Sequence, residues 1–226
     1  MTKTDYPSGP TTKAKVNSRE YNAELLGENK LGSVHIHGPY GNNNSKIKIA
    51  CLIGMHPYES KSHRAFFETI HSKDESLNYK YYIYNINVTK EDTNDEGRMD
   101  GQLLAQEYVA NHIINGGYDF FVDVHSNKGT RGPGKYEITN FIFAPGFDTK
   151  SEHYIQKILS TWSDIEYYAP EYRTSPSYIT EPTSASGIAT IVYETYSYED
   201  MQKTLDNAER LIEIIDTLDF TLAIED

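Results

Sequence analysis

The sequence has little cysteine, few basic residues and no long apolar run. Cys51 is the only cysteine among 226 residues, so an internal disulfide is excluded, and its apolar neighbours predict a small buried side chain. No apolar segment approaches the roughly 20 residues that a membrane helix needs. The first twenty residues also lack the apolar stretch of a secretory signal. These absences favour a cytoplasmic protein that has no membrane partner.

Positive charge is also scarce. Lysine and arginine total 21 against 33 acidic residues, which gives a formal net charge of −12. A nucleic-acid backbone is bound by clustered basic side chains, so the composition argues against a nucleic-acid partner. It does not oppose a small-molecule or peptide substrate, because local charge in a cleft can differ from the overall sign. The composition does not indicate an oligomeric state.

The pattern along the chain predicts an α/β fold. Residues 1–20 form a polar arm, and residues 21–226 have the length of one domain. Apolar strand patterns alternate with helical ones, which indicates three α/β/α layers around a central mixed, mostly parallel sheet. The clearest strand patterns are Ile47–Ile53, Tyr81–Val88, Asp119–Val124, Ile138–Phe143 and Ile188–Tyr193. Helices are predicted at 57–72, 100–114, 149–162 and 199–218, and loops at 89–97, 126–135 and 167–186.

Polar side chains interrupt this pattern at three strand ends. His56 and Glu59 follow the first apolar strand, His125 ends another and Glu194 ends the last. Ligand sites in open α/β sheets lie at the carboxyl ends of the strands. Two histidines and a carboxylate make a three-ligand Zn²⁺ site, and a second carboxylate can act as its base. Asp123 lies on the same strand face as His125 and could bind the second nitrogen of a ligand histidine.

Each of these residues also has an ordinary structural interpretation. His56 could be a surface histidine at a helix start, with Glu59 favoured there by the helix dipole. Asp123 and His125 could be a buried polar pair without a metal, and Glu194 could be a solvated strand-end carboxylate. The coincidence of three such strand ends favours the metal site. His35 and His37 share a strand face and could form a second metal pair, but half-exposed strand positions explain them as well.

The order of these motifs resembles the zinc carboxypeptidase superfamily. The short spacing is most similar to its aspartoacylase/succinylglutamate desuccinylase branch, from about Ile47 to the last helix. That branch reads Gly-x-His-Gly-Asn-Glu where this chain has Gly54–Glu59, and Asp-Leu-His-Ser/Asn where it has Asp123–Ser126. The resemblance implies that His56, Glu59 and His125 bind zinc and that Glu194 is the general base and acid.

The resemblance also extends to substrate contacts. The branch has an Asn-Arg pair before a helix, for substrate carboxylate and oxyanion, and here Arg98 matches while Gly97 replaces the Asn. Asn87, near the end of the preceding strand, is a second candidate contact. Arg131, in the Gly-rich loop after His125, could bind an anion bidentately or be an exposed loop charge.

The sequence therefore predicts a zinc hydrolase that cleaves an amide bond of an N-acyl amino acid or peptide. The branch often carries a C-terminal β-domain, and this chain ends at Asp226 near its last helix, so we expect an open cleft. An open cleft would suit a carboxypeptidase-type peptidase as well as a deacylase. The sequence is also compatible with a metal-binding protein without turnover and with a metal-free α/β module.

Overall fold

The computed structural model describes residues 23–89, 96–132, 134–146, 148–171 and 175–221. The arm predicted for residues 1–20 lies outside them. Within this part of the chain, eight strands form one sheet in the order β1-β2-β4-β3-β5-β8-β6-β7. The strands are β1 Glu24–Asn29, β2 Gly32–Gly41, β3 Lys48–Ile53, β4 Lys80–Val88, β5 Phe120–Asn127, β6 Phe141–Phe143, β7 Glu166–Tyr167 and β8 Ala189–Tyr196. The neighbours β4, β3, β5 and β8 are parallel, and antiparallel pairs flank them.

Helices cover both faces of the sheet, as the alternating pattern predicted. The α-helices are α1 Ser60–Ser72, α2 Glu96–Leu104, α3 Asn111–Asn115, α4 Thr149–Thr161, α5 Thr180–Ala185 and α6 Met201–Ile215. A π-helical segment, Ala105–Ala110, joins α2 to α3. No helix of the described ranges is long and apolar enough to cross a membrane.

The central strand β3 shows why the sheet needs two helical layers. Ile49, Cys51 and Ile53 belong to a core that includes residues of α1, α4 and α6. Ala50 and Leu52 point to the other face and belong to a second core with residues of α2, the π-helical segment and α3. Successive strand residues point to opposite faces, so a strand that is apolar throughout is buried on both sides. This confirms the predicted α/β/α architecture.

Several predicted boundaries are wrong by a few residues. The strand predicted to end at Val124 continues to Asn127, because Ser126 and Asn127 pair with Thr195 and Tyr196 of β8. His125 and Glu194 therefore lie inside their strands, and the loop predicted from Ser126 starts later. Ladder hydrogen bonds with a neighbouring strand decide this extension, and the polarity of the side chains does not reveal it.

The two other predicted loops also contain helical structure. Residues 90–95 of the loop predicted at 89–97 lie outside the described residues, and α2 begins at Glu96, four residues before the predicted helix start. The loop predicted at 167–186 contains a 3₁₀ turn at Pro176–Tyr178 and helix α5. Strand β1 was not predicted. Three of its six residues are exposed and none is fully buried, and it is held by antiparallel pairing with β2.

Candidate metal centre and active site

The turn after β3 places His56 and Glu59 at the carboxyl edge of the sheet. Gly54 has a φ of +84°, and a Cβ built there would lie 2.1 Å from the carbonyl oxygen of Ile86. Only glycine fits this close approach, and its positive φ lets the chain turn immediately after β3. His56 is extended and precedes the 3₁₀ turn Pro57–Glu59, in which proline is suited to the first position. One tight turn thus brings the His56 and Glu59 side chains together.

Three buried side chains form what we call the ligand cluster: His56, Glu59 and His125. One nitrogen or oxygen atom from each lies within 4.8 Å of the others. Nδ1 of His56 lies 3.0 Å from Oε1 of Glu59, and Nδ1 of His125 lies 2.9 Å from Oε2. Within the described residues this is the one group of three such side chains that could hold a metal ion. The structure thus brings together the three residues predicted as metal ligands.

Glu59 is the centre of the ligand cluster. Both carboxylate oxygens accept hydrogen bonds from histidine Nδ1–H groups. The backbone N–H of Ser126 donates to Oε2 at 3.0 Å, and Nη1 of Arg98 donates to Oε1 at 3.0 Å. Burial alone would raise the pKa of Glu59, but the two histidines and their hydrogen bonds hold it well below its usual 4.5. Glu59 is therefore a carboxylate anion at neutral pH.

The two histidines differ in their protonation. Burial lowers the pKa of His56 to about 4, against the opposing influence of Glu59. Burial also disfavours protonation of His125, but Asp123 and Glu59 outweigh it and hold its pKa well above 6.5. Without a metal, the ligand cluster thus contains a neutral His56 and a protonated His125. A bound cation would displace the proton from Nδ1 of His125.

The donor set fits a catalytic divalent metal. Two imidazole nitrogens and one carboxylate are ligands that zinc prefers, and three protein ligands leave a position open for water or substrate. Nε2 of His125 lies 3.0 Å from Oδ2 of Asp123, although at an angle unsuited to a full hydrogen bond. A carboxylate behind a ligand histidine fixes its orientation and makes it a better donor. Asp123 therefore lies where this supporting role was predicted.

Glu194 lies beside His125 on the adjacent strand. The two residues are register partners across β5 and β8, so their side chains lie on the same face of the sheet. Nδ2 of Asn127 donates to Oε2 of Glu194 at 3.3 Å and to the carbonyl of Thr139 at 3.0 Å. Oδ1 of Asn127 accepts the backbone N–H of Gly129 at 3.0 Å, which fixes the orientation of the amide. Asn127 thus positions the carboxyl group of Glu194.

The surroundings of Glu194 suit a group that exchanges protons near neutral pH. Phe141, its register partner on β6, packs against Tyr136 and Tyr168 at ring distances of 5.8 and 5.1 Å. Burial raises the pKa of Glu194 from 4.5 to about 7, with His125 opposing the shift and Glu59 adding to it. Glu194 is nevertheless only partly buried, so water can reach it. A general base works best when its pKa lies near the working pH.

Helix α2 lies directly against the ligand cluster. Arg98, whose side chain is 43% exposed, donates to Glu59 as described above. The carboxamide of Gln102, one turn later and fully buried, lies 3.2 Å from Nε2 of His56. A Cβ added to Gly101 would lie 1.8 Å from the carbonyl oxygen of Met55, so only glycine allows this approach.

The other predicted substrate residues lie farther out. Arg131 is exposed in a 3₁₀ turn, with its guanidinium 5.4 Å from the ring centre of the exposed Tyr198. Asn87 is exposed at the end of β4, and its amide is 3.5 Å from Nδ1 of His35. Neither has a contact with the ligand cluster among those described, and their roles stay predictions.

The remaining histidines near the site do not extend the metal centre. His63, on α1, is buried beneath the ligand cluster, and its Nε2–H donates to the carbonyl of Val124 at 3.1 Å. Burial lowers its pKa to about 4. His35 and His37 do not form a metal group of three or more ligands with any acidic, histidine or cysteine residue of the described ranges. His63 thus supports the strand that carries His125.

Solved structures share this fold. No model of a protein family matches the sequence, and the search of curated proteins found no match. A metallo-carboxypeptidase from Burkholderia cenocepacia superposes with a TM-score of 0.59 at 13% identity, over 88% of this chain and 65% of its own. A metallo-carboxypeptidase from Pseudomonas aeruginosa gives 0.50 at 11% identity, over 82% of this chain and 60% of its own.

A third similar structure has a more specific activity. Csd4 from Helicobacter pylori, a D,L-carboxypeptidase, gives a TM-score of 0.53 at 10% identity, over 78% of this chain and 52% of its own. The chain spans only about half to two thirds of these three proteins' lengths. The fold is that of metallo-carboxypeptidases. The aspartoacylase-like branch inferred from the motifs stays a prediction.

Proposed function

We propose that this protein is a metal-dependent hydrolase of the carboxypeptidase type, which cleaves an amide bond in a peptide or an N-acyl amino acid. The observation that carries the proposal is the ligand cluster with Glu194 on the neighbouring strand, His125 and Glu194 being register partners. The metallo-carboxypeptidase fold of the similar structures supports the same reaction class. Those names favour a peptide as the substrate, and the motif resemblance favours an N-acyl amino acid.

The residues of the chain have distinct tasks in this reaction. His56, Glu59 and His125 would hold the metal, and zinc is the ion that this donor set favours. When bound, such an ion polarises the scissile carbonyl and makes water a better nucleophile. Glu194 takes the proton of the attacking water and delivers it to the leaving nitrogen, which requires a pKa close to neutral.

Arg98 is positioned to stabilise negative charge on a substrate oxygen. Its guanidinium is held at the ligand cluster by Glu59 and is still 43% exposed, so it can donate to a substrate oxygen as well. Preorganised donors of this kind stabilise developing oxyanion charge by about 3 to 4 kcal/mol. Arg131 and Asn87 are proposed to contact the more distant parts of the substrate.

Glu194→Gln is the variant that tests the reaction. We expect it to retain metal binding and to lose 10²- to 10⁴-fold in kcat, because the amide cannot take a proton. Hydrolysis should be measured on peptides with free carboxyl termini and on N-acyl amino acids, together with metal content by atomic emission. Glu75→Gln, which makes the same change at an exposed distant site, is the control.

The outcomes separate the remaining candidate functions. Full activity of Glu194→Gln would contradict the role of Glu194. Bound zinc without turnover on either substrate set would identify a metal-binding protein, and absence of metal binding would contradict the metal centre. Hydrolysis of only one substrate set would decide between peptidase and deacylase.

A further inference from the structure

Gln102 is a buried polar side chain whose purpose the proposed reaction does not explain. It is 1% exposed, and the buried apolar residues Leu104 and Ala105 follow it closely in the chain. A carboxamide placed in such surroundings costs free energy unless it is hydrogen-bonded. One of its partners is His56, whose Nε2 lies 3.2 Å from the carboxamide nitrogen.

The ring of His56 is held from two sides. Nδ1–H donates to Oε1 of Glu59, and Nε2, on the other side of the ring, contacts Gln102. In this tautomer Nε2 is the acceptor and the amide NH₂ of Gln102 is the donor. If Nδ1, which faces Glu59, bound the cation, it would lose its proton, and the neutral ring would then carry its proton on Nε2. Nε2–H then needs an acceptor.

A carboxamide can be either the donor to Nε2 or the acceptor for Nε2–H. Turning the end of the glutamine side chain by half a revolution exchanges its NH₂ for its carbonyl oxygen at nearly the same position. The same side chain can therefore donate to Nε2 before the metal binds and accept from Nε2–H afterwards. A carboxylate in the place of Gln102 would serve only the second state, because it cannot donate to Nε2 of a neutral His56.

The backbone of α2 holds Gln102 in place. The preceding residue, Gly101, is in direct contact with the carbonyl of Met55, next to His56 in the chain. Arg98, one turn earlier, is hydrogen-bonded to Glu59. The first turns of α2 therefore contact two of the three residues of the ligand cluster, and the distance between Gln102 and His56 is fixed by packed backbone.

We propose that Gln102 is a positioning residue of the metal centre, which holds the His56 ring through Nε2 in both the metal-free and the metal-bound tautomer. This inference rests on the proposed function, because it assumes that the ligand cluster binds a metal. Partners of this kind typically change metal affinity by 10- to 100-fold.

The test compares three variants of the complete chain. Gln102→Leu removes the hydrogen bond at similar volume, and Gln102→Glu keeps an acceptor for Nε2–H. Gln106→Leu is the matched control, because Gln106 is exposed on the adjoining π-helical segment. Zinc affinity is measured by competition with a chromophoric chelator. We expect 10- to 100-fold weaker binding for Gln102→Leu, equal or tighter binding for Gln102→Glu, and binding within twofold of the unaltered chain for Gln106→Leu.

A second measurement separates positioning from mere packing. Nitrogen-15 NMR of histidine-labelled, zinc-loaded protein should show His56 as the Nε2–H tautomer, with a slowly exchanging ring proton in the unaltered chain and in Gln102→Glu. In Gln102→Leu that proton should exchange faster. Unchanged zinc affinity and proton exchange in a folded Gln102→Leu would overturn the assignment.

If Gln102→Leu does not fold, Gln102→Glu decides the assignment, and a tenfold loss of zinc affinity in it would overturn the proposal. Failure of the proposed function has a different signature. The unaltered chain would then bind no zinc, which overturns both proposals, whereas unchanged affinity in the variants beside normal zinc binding and hydrolysis overturns only the role of Gln102.

Discussion

The ligand cluster and the outlying pair Arg131 and Asn87 differ in how firmly the fold holds them. Every residue of the ligand cluster is buried, and Glu59 accepts hydrogen bonds from three other side chains and one backbone N–H. Arg131 and Asn87 are exposed on a 3₁₀ turn and at a strand end. The comparison teaches that the fold fixes the geometry of the candidate metal centre, while the proposed substrate contacts are left to exposed side chains.

Loss of a ligand should have the largest effect. We expect His125→Asn to abolish stoichiometric zinc binding and to lower hydrolysis by more than about 10³-fold, because two protein ligands do not complete a catalytic zinc site. The bound zinc per chain and kcat should be measured for the variant and for the unaltered chain. His153→Asn, on helix α4, is the control, and a fully active His125→Asn would show that the ligand cluster is not the reaction centre.

Arg98 shares a property with each of the two regions. It is hydrogen-bonded to Glu59 of the ligand cluster, and its side chain is partly exposed like those of Arg131 and Asn87. We expect Arg98→Ala to lower kcat by about 10²- to 10³-fold at saturating zinc, because an oxyanion donor is lost. Arg64→Ala, which breaks an exposed pair with Glu68 on α1, is the control. A change in KM alone would instead place Arg98 among the groups that only bind substrate.

His63 tests whether burial beneath the ligand cluster affects stability. Its pKa in the folded, metal-free chain is about 4, against 6.5 when unfolded. Only the unfolded chain gains a proton as the pH falls below 6.5, so the folded state loses stability from pH 6.5 towards 4. This contribution amounts to about 2 kcal/mol at pH 5.

His63→Gln retains an N–H donor for the carbonyl of Val124 and does not titrate. We expect the difference in unfolding free energy between pH 7 and pH 5, measured with urea in the presence of a chelator, to shrink by about 2 kcal/mol. Exposed His112 supplies the control, His112→Gln. An equal pH dependence in the unaltered chain and in His63→Gln would show that His63 takes up a proton in the folded state.

Arg131 should give the smallest effect. Its guanidinium lies over the exposed ring of Tyr198, and exposed cation–π contacts contribute about 0.5 to 1 kcal/mol. We expect Arg131→Ala to raise KM by less than about tenfold without changing kcat, because the residue is proposed to bind a distant part of the substrate. A loss in kcat as large as that of Arg98→Ala would remove the distinction between the two regions.

The predictable part of the site has a simple physical origin. His56, His125 and Glu194 stand out because each follows or interrupts a run of buried apolar residues, where a polar group is costly unless it is used. Gln102 and Asn127 carry no such signal. A glutamine in an amphipathic helix and an asparagine beside a Gly-rich loop are common on protein surfaces. Their burial becomes visible only when α2 packs against the ligand cluster and β5 pairs with β8.

The sequence by itself determined the alternation of strands and helices and the three strands at whose ends the candidate ligands and base lie, because apolar periodicity records which faces are buried. The tertiary structure decided what lies behind those residues. The pairing of β5 with β8 set His125 beside Glu194, and the contact of Gly101 with the carbonyl of Met55 brought Arg98 and Gln102 to the ligand cluster. Such contacts join residues far apart in the chain, and local pattern contains no record of them.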